Sequence, residues 1–354
     1  MKFYYISKLK HPHQIRLLSK YDIDSYDIST YNKNDIGILI ISTLNIKESY
    51  TTEILSKYSE YSKLYFILND SNEALPHKNR IEYKMFYEKL DECNIDRTRG
   101  IISYNNSYNI GITHHSDVNF NTIYFPTFLL EHSVVDESHI NKFRKNKTKE
   151  YDFSFLVRNG KPHKKTAAMF LLENNYDVLL TYVLNRDFES NKISELDSDD
   201  FGYYLESSNY FKSKISIIAE SEYMDTPDNP FNFKVNKSEY FTKIRHLTEK
   251  IWREIACGNP FVIIGNRNTL KHIRDIGFKT FDSLIDESYD YMDDDFRLYE
   301  ALIQSKNLLK FYNTAELEYI LQYNMELFKD NEFKKEKLHE FFINPLKKYT
   351  KSLV

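Results

Sequence analysis

The stretch that decides the fold is Thr248-Glu249-Lys250-Ile251-Trp252-Arg253-Glu254-Ile255-Ala256-Cys257-Gly258-Asn259-Pro260-Phe261-Val262-Ile263-Ile264-Gly265. Ile251, Trp252, Ile255 and Ala256 recur at helical spacing, and Gly258 follows where a helix takes a left-handed C-terminal glycine. Thr248 suits the N-cap and Glu249 the first turn, where a carboxylate meets the positive end of the helix dipole. The apolar run at 260–265, bounded by Pro and Gly, then reads as a strand. A helix handing directly to a strand is half of an α/β unit.

The same alternation extends outward. Strands are expected at 151–157, 178–182 and 214–219, and helices at 164–174 and 269–276, with a short strand at 279–281. Nearer the N-terminus, strands are expected at 2–6, 36–41, 63–68, 100–104 and 122–125, and helices at 51–62 and 81–93. This rhythm implies βαβ units and mostly parallel sheets, an α/β class. A chain of 354 residues exceeds what one core usually organises. The expected division is an N-terminal Rossmann-like domain at 1–140 on the acceptor side, a linker at 141–150 carrying five basic residues, and a second Rossmann-like domain at 151–310. C-terminal helices at 311–354 complete it. Two such domains flank a cleft, and ligands of open α/β sheets sit outside the carboxyl ends of the strands.

Composition excludes several classes. With 48 Lys+Arg against 52 Asp+Glu the net charge is -4, whereas a protein bound mainly by phosphate neutralisation is basic. Cys93 and Cys257 stand far apart without a CxxC, which argues against a disulfide framework or thiolate metal site. No apolar run reaches 18 residues, so no membrane span is expected. The start, Met1-Lys2-Phe3-Tyr4-Tyr5, lacks an apolar signal region, and a soluble cytoplasmic protein is expected, of the host cell if the source is viral. Tyr, Phe, Lys, Asn and Ile are abundant as in AT-rich genomes, a property of codons.

The chemistry concentrates at two basic corners. One is Arg158-Asn159-Gly160-Lys161-Pro162-His163-Lys164-Lys165, between a strand's carboxyl end and a helix's amino end. The other, Arg245-His246-Leu247-Thr248-Glu249-Lys250, opens the helix quoted first. Cations there oppose the helix dipole, which makes sense if an anion binds, because free N–H groups and positive side chains then converge on it. The alternative is a solvated loop with charges pointing outward. The chain contains neither GxxxxGK[ST] nor GxGxxG, so the pattern points to a diphosphate held mainly by side chains, with Arg158, Lys161, Arg245 and Lys250 as candidates.

Glu220-Ser221, then Thr248-Glu249-Lys250, then Gly258-Asn259-Pro260-Phe261-Val262-Ile263-Ile264-Gly265 resemble the donor-binding half of the α1,3-fucosyltransferase-like glycosyltransferases. The continuation Ile276-Gly277-Phe278-Lys279-Thr280-Phe281 to Ile285-Asp286-Glu287-Ser288-Tyr289-Asp290 looks like the related enzymes of phages and large viruses, and Arg158 to His163 resembles their basic loop. The likeness covers roughly residues 151–300. It implies a GT-B fold, with a nucleotide-sugar donor bound mainly by the C-terminal domain and metal dispensable. By that resemblance Lys250 and Arg158 contact the diphosphate, Glu249 the ribose hydroxyls, and Glu220 lies near the sugar or nucleoside. Glu249 equally fits a residue that only matches the helix dipole. Where the family reads Glu-Asn-Ser this chain has Glu220-Ser221-Glu222, so the resemblance does not extend to GDP-fucose as donor.

Glycosyl transfer needs a base for the acceptor hydroxyl and a cationic cradle for the leaving diphosphate. Base candidates are His114, His115 and Glu131, with ordinary polar loop residues as the alternative reading of the two histidines. Asp293-Asp294-Asp295 invites a metal reading, but it precedes a helical segment and is expected to be an acidic helix start. No metal site and no cofactor beyond the nucleotide-sugar co-substrate is expected. The acceptor is a glycan or, alternatively, a hydroxymethylated base in DNA, for which base flipping would be required. A third reading is a non-catalytic viral interaction protein on a GT-B scaffold.

Overall fold

The computed structural model describes residues 1–9, 13–70, 81–104, 112–115, 120–131, 149–157, 161–182, 208–220, 223 and 247–353. The chain divides into unit 1, Met1–Glu131 with Asn331–Val354, and unit 2, His132–Asp330.

Unit 1 begins with β1 (Lys2–Tyr5), α1 (His13–Lys20), β2 (Ser25–Asp27), β3 (Gly37–Ser42), α2 (Ser49–Tyr58), β4 (Leu64–Asp70) and α3 (Ile81–Glu92). It continues with β5 (Gly100–Tyr104), β6 (Ile112–His115), β7 (Phe120–Tyr124) and α4 (Thr127–Glu131). The strands form one seven-stranded sheet in the order β2-β1-β3-β4-β5-β7-β6. All neighbours are parallel except β6, which runs antiparallel to β7. The sequence reading passed over β2 and β6, the two edge strands, whose ladder on one side demands no continuous apolar run. β3 and β4 lie centrally, with both faces covered, and therefore read as unbroken apolar runs. Leu39, Ile41, Phe66 and Leu68 pack with Leu55, Phe86 and Leu90 of α2 and α3, while Ile38, Ile40, Tyr65 and Ile67 pack with Ile15 and Leu18 of α1.

Unit 2 contains β8 (Tyr151–Val157), α5 (Pro162–Glu173), β9 (Val178–Tyr182), β10 (Ser213–Ala219), α6 (Glu249–Cys257), β11 (Phe261–Ile264) and α7 (Thr269–Ile276). Two longer helices follow, α8 (Asp294–Leu309) and α9 (Ala315–Lys329). Its four strands are all parallel in the order β11-β10-β8-β9. From β8 the chain moves outward to β9 on one side, and β10 then starts again on the other side of β8. Strand order therefore reverses between β8 and β10, as it does between β1 and β3 in unit 1. Right-handed crossovers of opposite sense leave a crevice at the carboxyl ends of the two strands flanking such a reversal. Two doubly wound, Rossmann-like α/β units result.

Local expectations hold around the opening stretch. Gly258 adopts φ 63, and its N–H bonds the carbonyls of Glu254 and Ile255. Trp252 is core, 5.4 Å from the Phe278 ring and 6.1 Å from Phe328 between ring centroids. The expected strand at 279–281 does not form. Instead the Asn324 side chain on α9 clasps Lys279, accepting from its N–H at 2.8 Å and donating to its carbonyl at 2.8 Å. Phe281 N–H donates to Glu287 at 2.7 Å. Side chains here replace a neighbouring strand.

The expected block of C-terminal helices at 311–354 divides. α9 stays in unit 2, whereas α10 (Asn331–Leu338), a π-helical turn (His339–Ile343) and α11 (Asn344–Ser352) belong to unit 1. Leu338, Phe342, Ile343 and Leu346 complete the core on the α1 face, with Phe342 edge-on to Phe125 at 4.8 Å. The π turn has a cause in Pro345, which has no N–H for the carbonyl of Phe341. Of the linker expected at 141–150, residues 141–148 lie outside the described residues, and Glu150 N–H already bonds the Lys212 carbonyl at 2.7 Å.

Candidate functional site

Unit 2's reversal places the sequels of β8 and β10 side by side. After β8 comes the N-terminus of α5, with Lys161 as N-cap, Pro162 in the first turn and no acidic residue there. Lysine cannot accept the cap hydrogen bond, so α5 opens on positive charge where its dipole favours negative. After β10 comes Glu220, 1% exposed, and then Thr248 as N-cap of α6.

Glu220 ties the two corners together. Its carboxylate accepts from Thr248 N–H at 3.1 Å and from Thr248 Oγ1–H at 2.6 Å. Its backbone carbonyl accepts from His163 Nε2 at 3.1 Å, which assigns the Nε2–H tautomer. The His163 ring stacks on Tyr223 at 4.9 Å, and the Arg297 guanidinium lies 4.9 Å from the same Tyr223 ring. Burial, reinforced by Lys164, Lys161 and Lys250, pushes the His163 imidazolium down to about 3, so His163 is a neutral hydrogen-bond donor.

Lys250 reaches back over its own N-cap. Its Nζ donates to Thr248 Oγ1 at 2.9 Å and stands 3.4 Å from Glu249 and 3.7 Å from Glu220. Both ion-pair distances exceed the 2.7–2.9 Å of a charge-assisted hydrogen bond, and 18% of the side chain is open. Lys164, in the first turn of α5, is only 4% exposed. Burial, with Lys250 and Lys161, draws its ammonium down to about 8 against the opposing pull of Glu220 and Glu249.

A third helix start in unit 2 shows what such a place accommodates. The Asp290 carboxylate accepts from Leu270 and Lys271 N–H, each at 3.0 Å, and so fills the N-terminus of α7 with an anion from the chain itself. At α5 no acidic residue stands in the first turn, and the ammonium groups of Lys161, at the N-cap, and Lys164 stand there instead.

Of the residues singled out by sequence, Lys161, Glu220, Thr248, Glu249 and Lys250 meet at this crevice. Arg158 and Arg245 lie outside the described residues. Glu220, expected near the sugar or nucleoside, accepts from Thr248 with both carboxylate oxygens and has Lys250 Nζ 3.7 Å from one of them. The base candidates belong to unit 1: His114 and His115 fall in β6 rather than in a loop, and Glu131 ends α4. Asp293 to Asp295 mark the start of α8, with Asp293 paired to Arg267, as an acidic helix start predicts. Among the described residues no group of three or more His, Cys, Asp or Glu could hold a metal, and no helix is long and apolar enough to cross a membrane. Sequence reasoning missed the roles of His163, Lys164, Tyr223 and Arg297. The first two stood in the quoted basic loop, but their burial had no sequence signal.

The fold and this crevice define an α/β protein of two doubly wound units, one with a cation-lined reversal point. No protein-family model matches the chain, and no curated protein matches it.

Proposed function

We propose that unit 2 binds the diphosphate of a nucleotide-sugar at the β8–β10 crevice and that the chain is a GT-B-type glycosyltransferase. The observation that carries this is the meeting of two basic corners, Lys161 to Lys164 and Thr248 to Lys250, at the strand-order reversal of a parallel sheet. That place binds nucleotides in doubly wound folds, and helix N-termini with added lysines suit phosphate. The resemblance to fucosyltransferase-like enzymes supports the same reading and supplies the transferred group.

In this reaction an acceptor hydroxyl oxygen attacks the anomeric carbon while the bond to the β-phosphate oxygen breaks. The electron pair leaves with the nucleoside diphosphate, and the hydroxyl proton passes to a base. Lys161 and Lys250 neutralise the leaving diphosphate, and Glu249 hydrogen-bonds ribose hydroxyls. Calorimetric titration with UDP, GDP, ADP and CDP tests the reading. One of them binds, and Lys250→Ala weakens it about ten- to a hundredfold, the worth of a lost charge-assisted contact. Absence of binding by all four, or an unchanged affinity in the variant, overturns it. Label transferred from the matching nucleotide-sugar to glycan or to hydroxymethylated DNA then identifies the acceptor.

A further inference from the structure

We propose that Lys164 is the buried cation with which a diphosphate at the β8–β10 crevice pairs, and that anion binding is thereby coupled to uptake of a proton by the lysine amine. This rests on the nucleotide-binding reading above and adds a ligand and a linkage to it.

Lys164 is 4% exposed. Among the described residues, none accepts a hydrogen bond from its Nζ and no carboxylate lies within ion-pairing distance. An ammonium has three donors and no acceptor capacity, so in a largely buried side chain without a described acceptor the charged form is poorly compensated. Among the described residues the largest charge effects on it come from Lys250 and Lys161, at the starts of α6 and α5, which oppose its charge, and from Glu220, at the end of β10, and Glu249 of α6, which favour it. The adjacent His163 is neutral and occupied with the Glu220 carbonyl. Among these described groups two lysines balance two carboxylates, so they supply no net negative charge to hold its proton. Two helix N-termini add further positive potential. A diphosphate supplies both acceptors and further negative charge.

The direction of the linkage follows. In the empty site the amine gives up its proton near pH 8. A bound phosphate favours the charged form and raises that value, so at and above pH 8 binding draws a proton from solution. At pH 7 and below the amine is already charged, and it takes up no proton.

Titrations with UDP and GDP at pH 8.5, in buffers of different ionisation heat, read the proton directly. Nucleoside diphosphates are fully ionised at that pH, since their last phosphate proton leaves near pH 6. The binding heat of the wild type is expected to vary with buffer as uptake requires, and the variation to shrink to near zero at pH 7, where amine and nucleotide are both almost fully charged. Lys164→Arg stays charged at every pH tested, so it keeps affinity within a few-fold but loses the buffer dependence. Lys164→Met loses at least tenfold in affinity, and Lys165→Ala, one residue along on the exposed face, retains the wild-type proton uptake. Melting curves confirm that each variant is folded. Binding without buffer dependence, or with the dependence intact in Lys164→Arg, overturns the assignment of Lys164 while leaving nucleotide binding standing. Failure of every probe to bind overturns both.

Discussion

Removing the carboxylate of Glu220 tests whether the crevice is organised around it. In Glu220→Ala the Thr248 N–H and hydroxyl lose acceptors at 3.1 and 2.6 Å, and Lys250 loses a counter-charge at 3.7 Å. Thr248 is 3% exposed, so water does not replace those acceptors easily. Each buried group left unpaired costs about 1–3 kcal/mol, and breaking a buried charge arrangement from one side costs about 3–5 kcal/mol in total. Glu220→Gln keeps the shape and one acceptor but exchanges charge-assisted bonds for neutral ones, an expected loss of about 1–2 kcal/mol. For a unit of this size a loss of about 4 kcal/mol lowers the melting temperature by roughly 8–16 °C. The chain has one tryptophan, Trp252, on the helix that Thr248 caps. Its fluorescence during urea unfolding therefore reports the affected unit. An alanine variant within 1 kcal/mol of wild type, or a glutamine variant as costly as alanine, would refute the reasoning.

Three further outcomes follow from the same structure. His163 is held neutral down to about 3, so below pH 6.5 the unfolded chain takes the proton first and stability falls with acid; Glu254, pushed up to about 7 by burial, keeps a proton that the unfolded chain loses near 4.5, so stability falls as pH rises between those values. Between pH 4.5 and 6.5 these two slopes oppose each other at about 1.4 kcal/mol per pH unit each, and Glu287, also pushed up to about 7, adds to that of Glu254; relative to wild type, His163→Gln therefore makes stability fall more steeply toward neutral pH and Glu254→Gln less steeply; identical urea midpoints against pH for both variants would contradict this. Asn324→Ala removes both bonds that clasp Lys279 and is expected to cost about 2–3 kcal/mol by urea denaturation, with a cost below 0.5 kcal/mol counting against the clasp. Ending the chain at Asp330 strips Leu338, Phe342, Ile343 and Leu346 from unit 1. At about 1.5–3 kcal/mol per buried side chain this approaches a domain's whole stability, so the truncated protein is expected to lose cooperative near-ultraviolet circular dichroism melting of unit 1.

Local chemistry is what the amino-acid order determined unaided. Thr248 and Gly258 bound α6 because an N-cap oxygen and a left-handed C-terminal glycine are properties of single residues. The apolar runs of β3 and β4 announced strands because central parallel strands are covered on both faces. Both basic corners were visible for the same reason, since cations at a helix start are unusual wherever they occur. Tertiary structure alone decided that the corners meet. Lys161 and Lys250 are far apart in the chain, and only the reversal of strand order between β8 and β10 places the starts of α5 and α6 at one crevice. It likewise turned Glu220 inward, buried Lys164, sent the last 24 residues back to unit 1, and put Asn324 where a strand was expected at 279–281. Those outcomes depend on burial and on long-range pairing, which no window of sequence contains: a lysine reads the same in the chain whether the fold gives it water or takes water away.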